Sequence, residues 1–184
     1  MASWAEFRRG DPGLAALAQS RVEADGLVLV GTLRANGWPR ISPVEPLIVG
    51  DDLHLGMMWR SRKALDLLAD RRCVVHSTVH DRAGTQGDVK VYGLARDIDD
   101  PAVRARYGSA LEAAVGWRPD GDFHLFAVDL TEVGYFAVVD GGHDVRTWRP
   151  GPPCTARYPT SGAGRHLSNA PGRARMSGPC IPPS

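Results

Sequence analysis

Apolar positions along the chain fall into short runs separated by turn residues, a pattern typical of a protein built mainly of β-strands. Residues 27–33 form a continuous run rich in β-branched side chains, and residues 35–37 (Ala-Asn-Gly) are a hairpin signal. Turn residues at 50–52 end the next run. The predicted strands span residues 27–33, 39–49, 53–58, 73–79, 89–97, 123–130 and 133–139.

Three helices are predicted between these strands from apolar residues at helical spacing. Leu14, Leu17 and Val22 define a helix over residues 11–25, which starts with an Asp-Pro pair suited to a helix N-terminus. The other two helices are predicted over residues 61–70 and 101–114.

The order of these elements predicts the fold class. Consecutive strands joined by tight turns pair antiparallel, because parallel strands need long crossover connections. Many short strands with a few inserted helices predict an α+β, mainly β fold, which is a closed or nearly closed antiparallel barrel of six to seven strands with peripheral helices. This domain is predicted to cover residues 1–148.

The character of the chain changes after Trp148. Residues 149–184 contain eight prolines, five arginines and no acidic residue, and they show no apolar period. This composition predicts a disordered tail. Because the arginines are dispersed and no aromatic repeat accompanies them, a solvated extension is favoured over a tether for nucleic acid or a membrane.

Composition limits the classes of function. The formal net charge is +1, so nothing global predicts binding to nucleic acid or to a membrane, and any anion site must be local. No apolar run approaches the roughly 20 residues of a membrane helix, and the N-terminal residues lack the apolar core of a signal peptide, which predicts a cytoplasmic protein. The three cysteines, Cys73, Cys154 and Cys180, form no CxxC pair, and Cys73 is predicted to be a buried thiol.

No metal site is predicted. His76 and His80 are four residues apart, but in a strand followed by a turn that spacing does not bring their rings together. A structural, hydrogen-bonded role is favoured for His76 over a place in a ligand pocket. The chain also lacks a nucleophile elbow, a Walker loop and an HExxH motif.

The candidate chemistry lies where the strand at 53–58 runs into the helix that follows. Ser61 is a good helix N-cap residue, and the first N–H groups of such a helix attract anions. Arg60, Arg62 and Lys63 add positive charge at the same point. The segment predicts a phosphate site, and an ordinary capped surface helix is the open alternative.

With these elements in order, the chain resembles the pyridoxamine 5'-phosphate oxidase-like superfamily of flavin-binding split β-barrels. The resemblance covers about residues 20–140. It depends on residues 31–44 (GTLRANGWPRISPV), on Ser61-Arg62-Lys63-Ala64 with Leu67, and on Gly93. It implies FMN, or a deazaflavin relative, bound at the interface of a homodimer.

The resemblance also implies a role for each matching residue. Arg62 and Lys63 would hold the cofactor phosphate, helped by Ser61 and the helix N-terminus. Two groups of strand residues would line the rest of the cofactor: Ser42, Pro43, Val44 and Glu45 along the ring and ribityl chain, and Met57, Met58 and Trp59 on the opposite wall. Alternation along a strand argues against all of the second group being core residues.

Three departures argue against a true pyridoxamine phosphate oxidase. Asp88 stands where the resemblance implies a glutamine that contacts the flavin, and nothing after Trp148 resembles the substrate-binding C-terminal segment. Glu45 falls where basic character is expected, and an anion there would disfavour a reduced, anionic flavin.

The function inferred from the sequence is therefore an FMN-dependent oxidoreductase acting on an unassigned small molecule. A non-catalytic split barrel that binds deazaflavin or haem is the alternative, and a structural dimer with a vestigial pocket is a third hypothesis. Trp117, in the loop at 116–119, is a candidate to stack on the ring from the partner subunit, and a packed loop anchor is the equal alternative.

Overall fold

A computed structural model describes residues 1–151, and in them it places eight strands and four helices. The strands are β1 (Val28–Leu33), β2 (Pro39–Val44), β3 (Pro46–Val49), β4 (Asp52–Met58), β5 (Arg72–Ser77), β6 (Asp88–Asp97), β7 (Phe123–Val139) and β8 (Gly142–Trp148). The helices are α1 (Trp4–Gly10), α2 (Pro12–Glu23), α3 (Arg62–Ala69) and α4 (Pro101–Val115).

All the strands form one antiparallel sheet in the order β2-β1-β5-β6-β7-β4-β3, with β8 paired to β7. The sheet is not closed by pairing, yet its two end strands, β2 and β3, are joined by Glu45 alone. The sheet must therefore curl until its edges meet at that residue. The predicted fold class, a split antiparallel barrel with peripheral helices, is confirmed.

The predicted single strand over residues 39–49 is wrong, because it is divided at Glu45. Val44 pairs with Val28 of β1, whereas Pro46 pairs with Leu55 of β4. A chain that changes partner strand must leave one hydrogen-bond ladder before it enters the next, and proline has no N–H to extend the first ladder. The division creates a seam that the apolar pattern does not reveal.

The predicted strands at 123–130 and 133–139 are one strand, β7. A bulge between them leaves Thr131 unpaired, since Tyr92 faces Glu132 and Gly93 faces Leu130. A bulge bends a strand without ending it. A β-carbon on Gly93 would lie 2.6 Å from the Asp129 carbonyl oxygen, so only glycine allows this close approach.

The pattern also missed two elements at the ends of the described chain. β8 escaped notice because most of its side chains are exposed and polar. α1 carries a capping box, in which the Ser3 N–H donates to Glu6 Oε2 at 2.7 Å and the Glu6 N–H donates to Ser3 Oγ at 3.2 Å. Its Trp4 and Phe7 are fully buried, and each such side chain stabilises the fold by about 1.5–3 kcal/mol.

Two apolar clusters position the site. The larger cluster fills the inside of the curled sheet, where α2 and α3 also contribute buried residues. The smaller one packs α4 against the opposite face of β4 and β7 through Tyr107, Leu111, Leu125 and Ala127. α4 is therefore held beside the end of β4, where the segment that leads from β4 into α3 begins.

The predicted tail at 149–184 lies outside the described residues, except for 149–151. Within residues 1–151, no helix has the length and apolar character needed to cross a membrane.

Candidate functional site

A cavity of 570 Å³ lies at the seam of the barrel, between the β2–β3 junction, the end of β4, α4 and the loop that follows α4. Many of the residues predicted to bind a cofactor share it. Those that line it are Pro43, Val44, Glu45, Met57, Met58, Trp59, Lys63 and Trp117. Segments that are separate in the sequence and were predicted to bind a cofactor thus line one cavity.

The remaining predicted residues lie outside this lining. Ser42 pairs with Val30 inside the sheet, and Ser61 precedes α3. Arg62 lines a second cavity, and Asp88 begins β6, where it forms ion pairs. Trp117 lines the cavity of its own chain beside Pro119.

Lys63 is the cation of the cavity. Its ammonium group donates a hydrogen bond to the Pro43 carbonyl oxygen at 2.9 Å, which ties α3 to the end of β2. Partial burial lowers the pKa of Lys63, and the charge of Glu45 opposes that shift. Among the described residues Lys63 forms no ion pair, so its other N–H donors remain available to an anionic ligand.

The junction before α3 has an unusual local geometry. Arg60 adopts a left-handed backbone with φ of 53°, and the Ser61 N–H donates to the Met58 carbonyl oxygen at 3.1 Å to close a tight turn. Such a conformation costs a non-glycine residue of order 1 kcal/mol or more and often occurs at functional sites. The turn sets the direction in which α3 leaves β4.

Ser61 occupies the predicted N-cap position of α3, but its side chain makes no capping hydrogen bond. Its Oγ atom is buried and has no partner within the described part of the chain. Buried hydroxyl groups normally have a hydrogen-bonding partner. The first turn of α3 therefore keeps both an unpaired hydroxyl and uncapped N–H groups.

One wall of the cavity comes from the end of β4. Met57 is 4% exposed and belongs to the core, whereas Met58 is 79% exposed and Trp59 is 54% exposed. This confirms that the three are not all core residues. The Trp59 ring stacks on His124, with ring centroids 4.5 Å apart and planes 11° from parallel. Trp59 is thus packed on His124 through one face of its ring while it remains half exposed at the lining of the cavity.

Tyr107 of α4 lines the cavity and was missed in the sequence, where it appeared only as a helical position. Burial, together with the nearby charge of Glu45, raises the pKa of its hydroxyl to about 12. The hydroxyl therefore stays protonated through the physiological range and is able to donate a hydrogen bond to a ligand. No local motif marks it, because its position depends on the packing of α4 against β4.

The charges of the cavity are uneven. Glu45, Asp120 and Asp122 line it together with Lys63, so carboxylates outnumber the cation. The carboxylates repel an anionic ligand, and the attraction of such a ligand to the Lys63 ammonium group falls with distance. An anionic group is therefore best accommodated at the Lys63 end.

A second cavity, of 400 Å³, lies between the β1–β2 hairpin and α3. Arg34, Arg40 and Arg62 line it with Asp66, which accepts hydrogen bonds from Arg40 Nε at 2.6 Å and Thr32 Oγ1 at 2.9 Å. The consecutive residues Arg62 and Lys63 thus line different cavities.

His76 has the structural role that the sequence favoured. Its Nδ1 lies 2.6 Å from the Ser77 carbonyl oxygen, and its Nε2 lies 3.7 Å from Asp88. Neither His76 nor Asp88 lines the 570 Å³ cavity or the 400 Å³ cavity. Across residues 1–151, no group of three or more His, Cys, Asp or Glu side chains is arranged to hold a metal ion.

No protein-family model matches the sequence, and no curated protein matches it either. Solved structures do match the fold. A protein from Clostridium acetobutylicum related to general stress protein 26, of the pyridoxinephosphate oxidase family, is 17% identical with a TM-score of 0.58, over 76% of this chain and 96% of that one. A NimC/NimA family protein from the same organism is 13% identical with a TM-score of 0.57, over 71% of this chain and 90% of that one.

A heme-binding protein from Mycobacterium smegmatis is 19% identical with a TM-score of 0.55. The match covers 72% of this chain and only 57% of the mycobacterial protein. At such low identity, structural similarity establishes a shared fold alone. The chain has the split-barrel fold of the pyridoxamine 5'-phosphate oxidase-like proteins.

Proposed function

We propose that the protein is an FMN-binding, flavin-dependent oxidoreductase whose cofactor occupies the 570 Å³ cavity, with its phosphate at Lys63. The observation that carries this proposal is that one cavity is lined by Lys63, by the β2–β3 seam at Glu45, and by the wall that Met57, Met58 and Trp59 form at the end of β4. The proposed substrate is a small molecule.

The residues present fit a flavin. A volume of 570 Å³ is within the range of about 300–1,000 Å³ typical of small-molecule sites. Trp59 and Met58 offer apolar surface to a flat ring, and Lys63 has donors to spare for a phosphate. The unpaired Ser61 hydroxyl beside the uncapped turn of α3 is a further polar group without a partner.

A bound flavin would supply the hydride or electron chemistry. The chain's own residues then bind, orient and shield. Lys63 would hold the phosphate end, Trp59 would offer its ring as apolar surface for the flavin ring, and the Tyr107 hydroxyl would be a hydrogen-bond donor from α4. Glu45 holds negative charge at the seam, which opposes the build-up of further negative charge beside it.

We include a homodimer in the proposal. Ile41, Gly31, Val74 and Tyr92 form one cross-strand row on the outer face of the sheet. Ile41 and Tyr92 in this row are exposed, as is Leu29 in the next row. A second copy of the chain would cover this apolar face.

Sedimentation velocity tests the dimer. The wild-type protein is expected to sediment as a dimer and Ile41→Asp as a monomer with unchanged far-ultraviolet circular dichroism. A wild-type monomer at micromolar concentration would contradict the dimer.

The alternative function is a non-catalytic protein that binds deazaflavin or haem. The heme-binding protein with the same fold motivates the haem hypothesis. No histidine is among the residues lining the 570 Å³ cavity in the described chain, which removes the commonest axial ligand of haem iron and favours a flavin.

The visible spectrum of the purified protein, before and after addition of each cofactor, separates these functions. Flavin absorbance retained through gel filtration supports the proposed function, and a Soret band supports haem. A colourless protein that binds neither FMN nor deazaflavin nor haem would refute both cofactor hypotheses.

Lys63→Ala tests the phosphate contact. Charge-assisted hydrogen bonds contribute about 1.5–3 kcal/mol, so FMN binding should weaken by about 10- to 100-fold while riboflavin binding changes little. Lys90→Ala is the matched control, because Lys90 is paired with Asp88 outside the cavity. Equal losses for FMN and riboflavin in Lys63→Ala would refute the role of Lys63.

A further inference from the structure

We propose that the 400 Å³ cavity between the β1–β2 hairpin and α3 is a second anion site, which binds a phosphate-bearing small molecule. Three guanidinium groups, those of Arg34, Arg40 and Arg62, line this cavity with one carboxylate, that of Asp66. None of these four residues lines the Lys63 cavity, so the second site does not require a flavin to be bound in the first.

The described residues that line this cavity carry more positive than negative charge. Asp66 pairs with Arg40, but in residues 1–151 neither Arg34 nor Arg62 has an ion pair or a side-chain hydrogen bond. Both side chains are exposed, and their donors are available to an anion in the cavity that they line. Phosphate suits this position, because the planar guanidinium fork binds its oxygens in a bidentate manner.

Arg40 is held in place by a buried support. Thr32 Oγ1 donates to Asp66 Oδ2 at 2.9 Å, and Arg40 Nε donates to the same oxygen at 2.6 Å. Both Thr32 and Asp66 are buried. Because Nε is used, the two terminal nitrogen atoms of Arg40 remain as donors toward the cavity that this residue lines. A merely structural ion pair would explain Arg40 but not the presence of Arg34 and Arg62 beside it.

The hairpin that carries Arg34 has a defined geometry. The Arg34 N–H donates to the Trp38 carbonyl oxygen at 3.0 Å, and the Gly37 N–H donates to the Arg34 carbonyl oxygen at 2.8 Å. Asn36 Oδ1 accepts the Trp38 N–H at 3.2 Å, which leaves the Asn36 amide nitrogen as a donor on the cavity lining. The donors of this site thus come from a tight turn on one side and a helix on the other.

The size and chemistry of the cavity select the ligand. Its 400 Å³ is enough for a phosphate or diphosphate group with part of the molecule that carries it. The ligand could be a free phosphate ester or the second anionic group of a cofactor, since residues 62 and 63 begin the same helix and line neighbouring cavities. Both sources share the phosphate that the arginines recognise.

Isothermal titration of the full-length protein with inorganic pyrophosphate tests this site. Arg34→Ala and Arg62→Ala should each weaken binding by about tenfold, and Arg62→Lys should restore only part of the loss. Arg146→Ala is the matched control, because Arg146 is exposed but paired with Asp144 on β8.

Several results would overturn the site. These are no binding of pyrophosphate, equal weakening by Arg146→Ala, or a loss confined to Lys63→Ala. Binding of single-stranded RNA without binding of pyrophosphate would also overturn it, because the ligand would then be a polymer.

A comparison of FAD with FMN distinguishes the two sources. Tighter binding of FAD that disappears in Arg34→Ala identifies the second phosphate of a cofactor. Equal affinity for FAD and FMN, with pyrophosphate still bound, identifies a free phosphate ester. Failure of the flavin proposal would leave the pyrophosphate result unaffected.

Discussion

Tyr107 Oη lies against Gly56, in the space that a β-carbon on that glycine would occupy. Such a carbon would contact the hydroxyl oxygen and lie 3.0 Å from Tyr107 Cζ. The contact joins α4 to β4 across one side of the 570 Å³ cavity, which both residues line. A residue without a side chain in β4 thus sets how closely the helix approaches.

We expect Gly56→Ala to destabilise the protein by about 1–3 kcal/mol, because the methyl group forces Tyr107 out of its position. Urea unfolding measures this change. Gly134→Ala is the matched control, since it adds a methyl group to a strand where nothing lies within 4 Å. That control should change stability by less than about 1 kcal/mol.

Removal of the Tyr107 hydroxyl should relieve part of this clash. Gly56→Ala is therefore expected to cost less in a Tyr107→Phe background than in the wild type, and a double-mutant cycle measures the difference. Equal costs in the two backgrounds would show that the hydroxyl does not determine the approach.

Trp59 should contribute to ring binding and not to phosphate binding. We expect Trp59→Ala to weaken FMN and riboflavin by the same factor, about fivefold, since stacked aromatic pairs contribute about 0.5–1.5 kcal/mol. Trp59→Phe should retain most of the affinity, and fluorescence titration measures both ligands.

Trp38→Ala provides the control for Trp59, because Trp38 is exposed and lines neither cavity. It should bind both ligands as the wild type does. A loss in Trp59→Ala that is confined to FMN would contradict the role of this wall.

Cys73 is predicted to be unreactive in the folded protein. It is buried, as its sequence context indicated, its Sγ lies 3.6 Å from the Gly93 carbonyl oxygen, and burial raises its pKa from 9.0 to about 12. In a variant with Cys154→Ser and Cys180→Ser, Ellman's reagent at pH 8 should react only after unfolding in guanidinium chloride. Reaction of the native variant at the rate of a free thiol would contradict this burial.

The raised pKa of Cys73 also predicts a dependence of stability on pH. The folded state favours the thiol, so its contribution is complete below pH 9 and is lost as pH rises toward about 12. Urea unfolding between these values should show a steeper loss for the wild type than for Cys73→Ala. Parallel curves would contradict the linkage.

Asp81 organises the loop between β5 and β6. Its carboxylate accepts hydrogen bonds from the Ala83 and Gln86 N–H groups at 2.8 and 3.1 Å and from Thr85 Oγ1 at 2.6 Å. We expect Asp81→Ala to speed trypsin cleavage after Arg82 by roughly tenfold, because local opening becomes easier. Asp140→Ala, in the exposed turn between β7 and β8, should leave this cleavage unchanged.

The hydrogen bonds of Asp81 lower its pKa from 3.8 to about 2, chiefly through Thr85. The loop is therefore stabilised above pH 3.8, and this stabilisation is lost as pH falls toward 2. Hydrogen exchange at pH 4 should still show protection of the Gln86 amide. Its complete loss at pH 4 would contradict the predicted range.

Local chemistry explains why much of the candidate site could be predicted. The period of two along β4 separates Met57 from Met58 whatever the rest of the chain does. The position of Ser61 at the start of α3 follows from its residue type and the apolar spacing after it. The hairpin at 35–37 also follows from local residue types, because Gly37 has a φ of 83°, which glycine adopts readily.

Other features of the site depend on partners distant in sequence. A period of two cannot show that the strand changes partner at Glu45, or that the bulge at Thr131 keeps β7 continuous. Serine is a residue type that usually caps a helix, so its identity does not predict that the Ser61 side chain makes no capping hydrogen bond. The approach of Tyr107 to Gly56 depends on the packing of α4.

The sequence by itself determined most of the strands and turns and an antiparallel, nearly closed barrel, because strand period and turn chemistry act over neighbouring residues, and the segments that line the main cavity were implied by the family resemblance. Only the tertiary structure decided that Arg62 and Lys63 line different cavities, and that Arg62 shares its cavity with Arg34 and Arg40. The physical reason is that curling of the sheet and the direction of α3 set these neighbours, and both depend on strand pairing between distant parts of the chain.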